Sequence, residues 1–594
     1  MKNIKIKLLG LLCAVLFVSA CDFDVLNRTP LDEISDDAVW TDANLVQLFL
    51  NDVYGGMMHG FREVSNSSMS DDTHFIHGYG TNDAVLGNVS PGNFGPWGRG
   101  DFEHFRWDDL YERIRQANIF LGQIDEVEVI DAGLRNQLKG EALFLRAYFY
   151  HNLLRMLGGV PIITEPFDLD DDMLVHRSTY EETLDFILSD IEAAAPLLPL
   201  QPRELGRATR GAALALKARI LTHAASDLFH DNPANELVGF PSGNQQAMWQ
   251  DARAASQAVM DLGIYSLFDR HDDPVENYKQ IFLTPEDHEE IIMSRHFVQS
   301  TANGIGARPG IYNGPNGYRN WAGNTPLQSL IDSYEMRDGS AFDWNNPAHA
   351  GAIYENRDPR LEASILYDGA QWQESPSFRA PFEPNGIIQT WNVLNLPSGT
   401  VEDAVDSRRG PIEDWNGSYS GYYIRKYLSE EVRHHNTTQT IPWRFFRYAE
   451  VLLNYAEASM ELGDDAAAQN AINQIRARVD MPPITDTGQA LVERYRNERR
   501  VELFHEEHRY FDIRRWKIAP DVMVDGHGIR ITADATDRDD RSTYTNVTYE
   551  SYIPAGTEGT TMVSPRGWND SHYFIPIRQE EMQRNENLVQ NPGY

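Results

Sequence analysis

Cysteine is nearly absent: Cys13 and Cys21 are the only two in 594 residues. That excludes a disulfide framework, a cysteine-rich zinc site and a Cys-X-X-Cys redox pair. Lysine is also scarce, with 8 against 44 arginines, and 52 basic residues face 88 acidic ones for a net charge of −36. A field of that sign repels phosphate backbones and anionic headgroups, which excludes nucleic-acid binding. High acidity with little lysine also suits a surface that stays hydrated where salt screens charge, so a saline habitat is expected. No G-x-S-x-G, Walker A or G-x-G-x-x-G arrangement lies between a strand and a helix.

The one long apolar run is N-terminal. Lys2, Lys5 and Lys7 precede Leu8 to Val18, a stretch too short to span a bilayer, and Ser19 and Ala20 are the small residues that signal peptidases require. Val18-Ser19-Ala20-Cys21 resembles a bacterial lipobox, so residues 1–20 are expected to be removed and Cys21 to carry lipid. The mature chain then has a charge of −39 and no free thiol for catalysis.

Hydrophobic residues make up 41% and charged residues 24%, enough for a full core, and the length implies two or three packed units. Apolar residues at three- and four-residue steps predict helices near 36–54, 107–126, 134–157, 178–195, 207–229 and 248–262. Ala142, Leu145, Phe149 and Met156 form one stripe; Leu214, Ala218, Leu221, Ala225 and Leu228 form another. From 263 to 440, Gly, Pro, Asn and aromatic residues recur every few positions, as in Asn313-Gly-Pro-Asn-Gly317, which predicts long loops with short strands. Helix returns at 443–462, closed by Gly463, and a partner follows at 464–479 before Pro482 and Pro483. That alanine-rich pair resembles a tetratricopeptide unit. Residues 518–594 read as loops. The expected organisation is a signal (1–20), an N-terminal helical region (21–262) and a C-terminal region (263–594), the last divided into a loop-rich ligand-binding part (263–440), a helical part (441–517) and a loop-rich tail (518–594).

Several blocks match a known family in order along the mature chain: Trp107-Asp-Asp-Leu-Tyr-Glu-Arg-Ile-Arg-Gln-Ala-Asn118, Gly140-Glu-Ala-Leu-Phe-Leu-Arg-Ala-Tyr148, Gly158-Gly-Val-Pro161, Asn356-Arg-Asp-Pro-Arg-Leu361, Arg447-Tyr-Ala-Glu-Val-Leu-Leu-Asn-Tyr-Ala-Glu-Ala458, Glu498-Arg-Arg-Val-Glu-Leu-Phe504, Arg509-Tyr-Phe-Asp-Ile-Arg-Arg-Trp516 and Asn591-Pro-Gly-Tyr594. In these the sequence resembles the SusD/RagB nutrient-binding outer-membrane lipoproteins of the Bacteroidota. One departure is Ile575-Pro-Ile-Arg578, where the family more often has a second proline.

The resemblance implies a mostly α fold, tetratricopeptide-like helical pairs carrying an irregular loop-rich region with short strands. It implies a non-enzymatic lipoprotein on the outer membrane, facing the cell exterior. Such proteins cover a SusC-like TonB-dependent transporter and pass it oligosaccharides, with no cofactor. Two other readings stay open at this point: a RagB-like peptide receptor, and a glycoside hydrolase, since a catalytic carboxylate pair is not excluded by counting acids.

Sugar rings bind flat apolar surfaces with planar polar side chains at the rim, so loop aromatics are the candidates. Phe94, Trp97 and Arg99 lie in Pro91-Gly-Asn-Phe-Gly-Pro-Trp-Gly-Arg99, where several family members place a stacking tryptophan. Tyr312, Tyr318, Trp321 and Trp344 lie in the Gly/Asn-rich middle, and Asp71 resembles a polar position of the same cleft. The groups around Trp97 and Trp321 are expected to meet in one cleft.

Other clusters read as structural. Trp107 and Trp516 sit on helical patterns and are expected to pack. Arg499, Arg500, Glu502, Arg509, Asp512 and Arg514 are expected to form carboxylate-guanidinium networks rather than an acid-base centre. His505-Glu-Glu-His508 spaces its histidines by three, not the four of a zinc protease helix. Asp168-Leu-Asp-Asp-Asp172 would draw calcium only weakly, because it lacks the glycine and terminal glutamate of an EF-hand loop.

Overall fold

Alanine stripes and capping residues set the helical scaffold. In the computed structural model, which describes residues 36–98, 106–168, 170–298, 306–552 and 565–594, helices run over Ala43–Gly55, Trp107–Gln123, Ala132–Leu157, Tyr180–Ala194, Arg210–Ala224 and Gln245–Met260. All but Trp107–Gln123, which follows Arg106 without a side-chain cap, start where a polar side chain takes up orphan N–H groups. Asp131 accepts from Leu134 N, Thr209 accepts from Ala212 N, and Thr179 with Glu182 forms a reciprocal capping box. Tyr448–Glu461 and Asp465–Ala477 make the later pair, and Gly463 at φ 79° provides the left-handed residue between them.

Consecutive helices pack in pairs, 107–123 on 132–157, 132–157 on 180–194, 210–224 on 245–260 and 448–461 on 465–477, while 245–260 also packs on 448–461 and so joins the two halves. Ala218, Ala225, Ala252, Ala255 and Ala458 are all buried at these crossings. Small residues let the backbones approach closely there.

Residues 443–447 are a strand rather than the start of a helix. Trp443–Arg447 pairs antiparallel with Ile291–Arg295 and feeds directly into the helix at Tyr448. Trp443, Phe445 and Phe446 are bulky and favour a pleated surface, and all five residues are buried. Among its described residues the region from 263 to 440 contains one full helix, Pro274–Leu283, capped by Asp273, and otherwise short helices and strands. The tail is more ordered than loops. Gly528–Asp534 and Thr545–Tyr552 pair antiparallel, and with Val393–Leu396 and Gly399–Glu402 they complete a four-stranded sheet whose only parallel pairing is 393–396 with 528–534. Ile529, Ile531, Leu394, Trp391 and Tyr422 form a second hydrophobic core beneath it, separate from the large helical one.

The Glu498–Trp516 segment splits into helices Gln489–Glu502 and Arg509–Arg515, and its charges are internal struts. Glu502 accepts from Arg447 Nη1 at 2.6 Å, from Arg360 Nη1 at 3.0 Å and from Arg478. Burial alone would raise its carboxyl, but the three guanidiniums hold it well below the usual carboxylate range. Asp512 bridges Arg499 and Arg515, while Glu457 accepts from Arg515, Tyr495 and the indole of Trp516. Among the described residues Arg514 donates to the carbonyls of His572 and Tyr510 rather than to a carboxylate. Trp107 packs on Tyr111, ring centroids 4.8 Å apart.

Candidate functional site

A short ribbon organises the candidate site. Thr73–Phe75 pairs antiparallel with Asn324–Pro326. Beyond the ribbon the two chains stay together: Ile76 N donates to Gly323 O at 2.9 Å, and His77 Nε2 meets Trp321 O at 3.0 Å. The carbonyl can only accept, so the imidazole carries its proton on Nε2 here. Burial lowers the His77 pKa, which keeps the ring neutral near pH 7.

Five rings collect at this end. Trp321 lies against Tyr312, centroids 5.6 Å apart. His77 stacks on Tyr79 at 6.0 Å and approaches Trp415 at 6.1 Å. Trp415 is 63% exposed, and the other four rings are half-buried. They come from three segments, and Asn316 ties two of these together. Its buried amide donates to Ser407 O at 2.8 Å and Glu413 O at 2.7 Å and accepts from Tyr423 Oη at 2.7 Å. This holds the Trp415 loop against the Tyr312–Trp321 loop. Gly417 is required at the crossing, because a Cβ there would lie 2.5 Å from Ser407 O.

The backbone around the rings is strained. Tyr79, Arg319 and Ala322 have φ of 41°, 61° and 49°. A non-glycine residue in the left-handed region costs on the order of 1–3 kcal/mol, and such residues gather where a surface must be pre-formed. At the margin, Tyr419 faces His74 at 6.1 Å, and the guanidinium of Arg408 lies 4.6 Å over the Tyr419 ring. The result is a surface of flat apolar faces with guanidinium and imidazole groups at its edges.

The candidates read from sequence divide. Tyr312 and Trp321 are in the cluster. Trp97 is not: it is 2% exposed in the helical core, its ring 5.9 Å from Tyr510, and so has no face to offer a ligand. Phe94 is 9% exposed in the same core. The Trp97 and Trp321 groups therefore do not converge, because the Gly-Pro-Trp-Gly turn directs its indole inward. Tyr318 is also buried, donating from its hydroxyl to Gln373 O at 2.8 Å beneath the guanidinium of Arg379. Arg99 and Cys21 lie outside the described residues.

Asp71 and Trp344 share a different recess at the other end of the ribbon, with Asp332 and His527 in its wall. Asp71 is not a free polar group, since Arg509 holds both of its oxygens and Arg500 adds a contact at 3.0 Å.

His77, Tyr79 and Trp415 were not among the sequence candidates. Trp415 had a usable signal: it stands in Glu413-Asp-Trp-Asn-Gly417, a polar turn unsuited to burying an indole. The His505-Glu-Glu-His508 side chains diverge. Burial pushes His505 down to about 3 and His508 well below its ordinary value, Glu506 pairs with Arg447 and Lys426, and Glu507 accepts from Ser65 and Asn66. Among the described residues no cluster of three or more His, Cys, Asp or Glu could hold a metal ion.

Residues 289–594 match the model of the SusD family, and residues 31–221 match a SusD-like model described as starch-binding and associating with the outer membrane. The SusD-like protein P38 of Formosa agariphila is 24% identical over 564 residues, covering 89% of this chain and 94% of that one. The crystal structure of a SusD-like protein from Bacteroides fragilis superposes with a TM-score of 0.72 at 29% identity, covering 96% of this chain and 100% of the other. A SusD-like carbohydrate-binding protein from the same species gives 0.68 at 23% identity, covering 93% and 100%. The mostly helical fold is shared with both.

Proposed function

The chain belongs to the SusD family, and from that premise we propose that it is a cell-surface glycan-binding lipoprotein that passes oligosaccharides to a SusC-like TonB-dependent transporter. The observation that carries the reading is the cluster of Tyr312, Trp321, His77, Tyr79 and Trp415. Pyranose rings have apolar C–H faces, and each stacked ring contributes roughly 0.5–1.5 kcal/mol by analogy with aromatic pairs. Three or four such contacts with rim hydrogen bonds correspond to a Kd in about the micromolar to millimolar range, weak enough for release into a channel. The carbohydrate-binding relative and the starch-binding family model support the same class of ligand.

Anchoring through Cys21 accounts for attachment to a membrane, and the outer-membrane association in the family model's description supports that location. No helix among the described residues is long and apolar enough to cross a membrane. The protein binds without turnover: it presents its ligand to a transporter rather than cleaving it. A peptide ligand would call chiefly on backbone hydrogen-bonding groups, whereas this surface offers ring faces.

Glycan and peptide arrays probed with the mature protein lacking residues 1–21 test this reading. Binding to an oligosaccharide class, weakened by Trp321→Ala and by Trp415→Ala, is expected. Binding to peptides alone would overturn it, as would release of product beyond one equivalent from any bound glycan.

A further inference from the structure

The ribbon that carries the ring cluster at one end carries a recess at the other. Leu327, where the ribbon leaves the sheet, donates from its N–H to Asp72 O at 2.8 Å, and Gln328 N donates to His527 O at 2.9 Å. Five residues, of which Asn324–Pro326 are strand, separate Leu327 from Trp321, a path of up to about 20 Å. One sugar ring cannot touch both places.

The recess has a volume of about 210 Å³. That is smaller than the usual range for drug-sized ligands, about 300–1,000 Å³, and corresponds to about seven water volumes at roughly 30 Å³ each. It suits one six-membered ring with its hydroxyls. Trp344 forms one wall, with Leu327, Val522 and Val524 as further apolar lining. The indole is fixed in place: its Nε1 donates to Asp332 Oδ2 at 3.0 Å, while Gln328 Nε2 donates to Asp332 Oδ1 at 2.8 Å. Each of those carboxylate oxygens keeps a second lone pair for a ligand hydroxyl.

Asp525 uses Oδ1 to accept from Arg566 N at 3.1 Å, and His527 uses Nδ1 toward Ser551 Oγ at 3.2 Å. Among the described residues that leaves Asp525 Oδ2 and His527 Nε2 for neighbouring hydroxyls. An immobilised indole beside carboxylate acceptors and a ring nitrogen is what a vicinal diol on an apolar ring face requires. The third acid, Asp71, is neutralised by Arg509 and Arg500, so the recess does not offer the crowded carboxylates that a cation needs.

We infer that this recess is a second carbohydrate site, taking a single pyranose ring against Trp344 independently of the ring cluster. It depends on the proposed function only for the class of ligand.

Saturation-transfer NMR with a panel of methyl pyranosides (glucose, galactose, mannose, xylose and rhamnose) tests it on three forms of the mature protein. These are the natural sequence, the Trp321→Ala/Trp415→Ala double variant, which removes the ring cluster, and Val524→Trp, which fills the recess from a position 61% exposed. At least one pyranoside is expected to bind the natural protein and the double variant alike and to lose at least tenfold in affinity in Val524→Trp. His527→Ala, at an exposed position, is expected to lose about three- to tenfold and guards against a fold defect in the bulkier variant. Absence of binding to the double variant, or equal binding to Val524→Trp, would overturn the second site. Loss of oligosaccharide binding at the ring cluster would show instead in the arrays and would leave this outcome readable.

Discussion

Arg509 holds Asp71 with two parallel hydrogen bonds, Nε to Oδ1 and Nη2 to Oδ2, both 2.8 Å, between residues 438 positions apart in the chain. Asp71 is buried and the Arg509 side chain nearly so, and Arg500 closes the pair from the other side at 3.0 Å. Burial works to raise the Asp71 carboxyl, and the two guanidiniums overturn that and hold it well below the usual carboxylate range. Asp71 thus fastens the segment before the ribbon to the helix at 509–515.

Asp71→Ala should therefore act on stability. Removing one partner of a buried pair leaves charge uncompensated and costs about 3–5 kcal/mol. Urea unfolding should show that loss, while the variant that remains folded keeps the glycan affinity of the natural protein. Reduced affinity with unchanged stability would instead make Asp71 a ligand contact.

Trp97 and Trp415 should behave in opposite ways. Trp97→Ala opens a cavity in a packed core and should cost about 3–5 kcal/mol of stability. Trp415→Ala, at an exposed position, should change stability by no more than about 0.5 kcal/mol and weaken glycan binding by about 2- to 12-fold. Calorimetric titration beside thermal unfolding separates the two effects.

Glu507 should make stability fall as pH rises. Burial pushes its carboxyl up from 4.5 to about 7, although Ser65 and Asn66 donate hydrogen bonds that pull it down. Below pH 4.5 the group is protonated in both folded and unfolded chains and contributes no pH dependence. Between 4.5 and about 7 the unfolded chain gives up the proton and the folded chain keeps it, so stability declines by roughly 1.4 kcal/mol per unit. Above about 7 the decline is complete, on the order of 3 kcal/mol in all. Glu507→Gln removes the titration, so its stability relative to the natural protein should rise across that window. A constant difference from pH 4.5 to 8 would show that the carboxyl is not perturbed.

Cys21→Ala should release the protein from the outer membrane in a strain lacking its transporter. Tagged natural protein, drawn from its own membrane in mild detergent, should bring with it a large β-barrel partner. Retention of the variant in the membrane would refute the anchor, and repeated recovery without a barrel would count against delivery.

The scaffold could be read from sequence because helix periodicity and capping are local. Alanine recurring at three- and four-residue steps, Thr179 with Glu182 and Gly463 each act within one or two turns. The arginine-rich segment at 498–516 could be read as internal struts for a chemical reason, since a guanidinium holds its carboxylate partners ionised whatever the fold. The strand at 443–447 escaped that reading because its partner, 291–295, lies more than a hundred residues away. Loop aromatics carry no periodicity, so the Gly-Pro-Trp-Gly turn does not reveal that Trp97 points inward, and the polar residues around Trp415 are only a local hint of exposure. The tertiary structure decides both: Tyr510 and the helical core surround Trp97, whereas Asn316, bonded to Ser407 and Glu413, leaves Trp415 at the surface. Which ring faces solvent is set by contacts between distant segments, and those form only when the whole chain has folded.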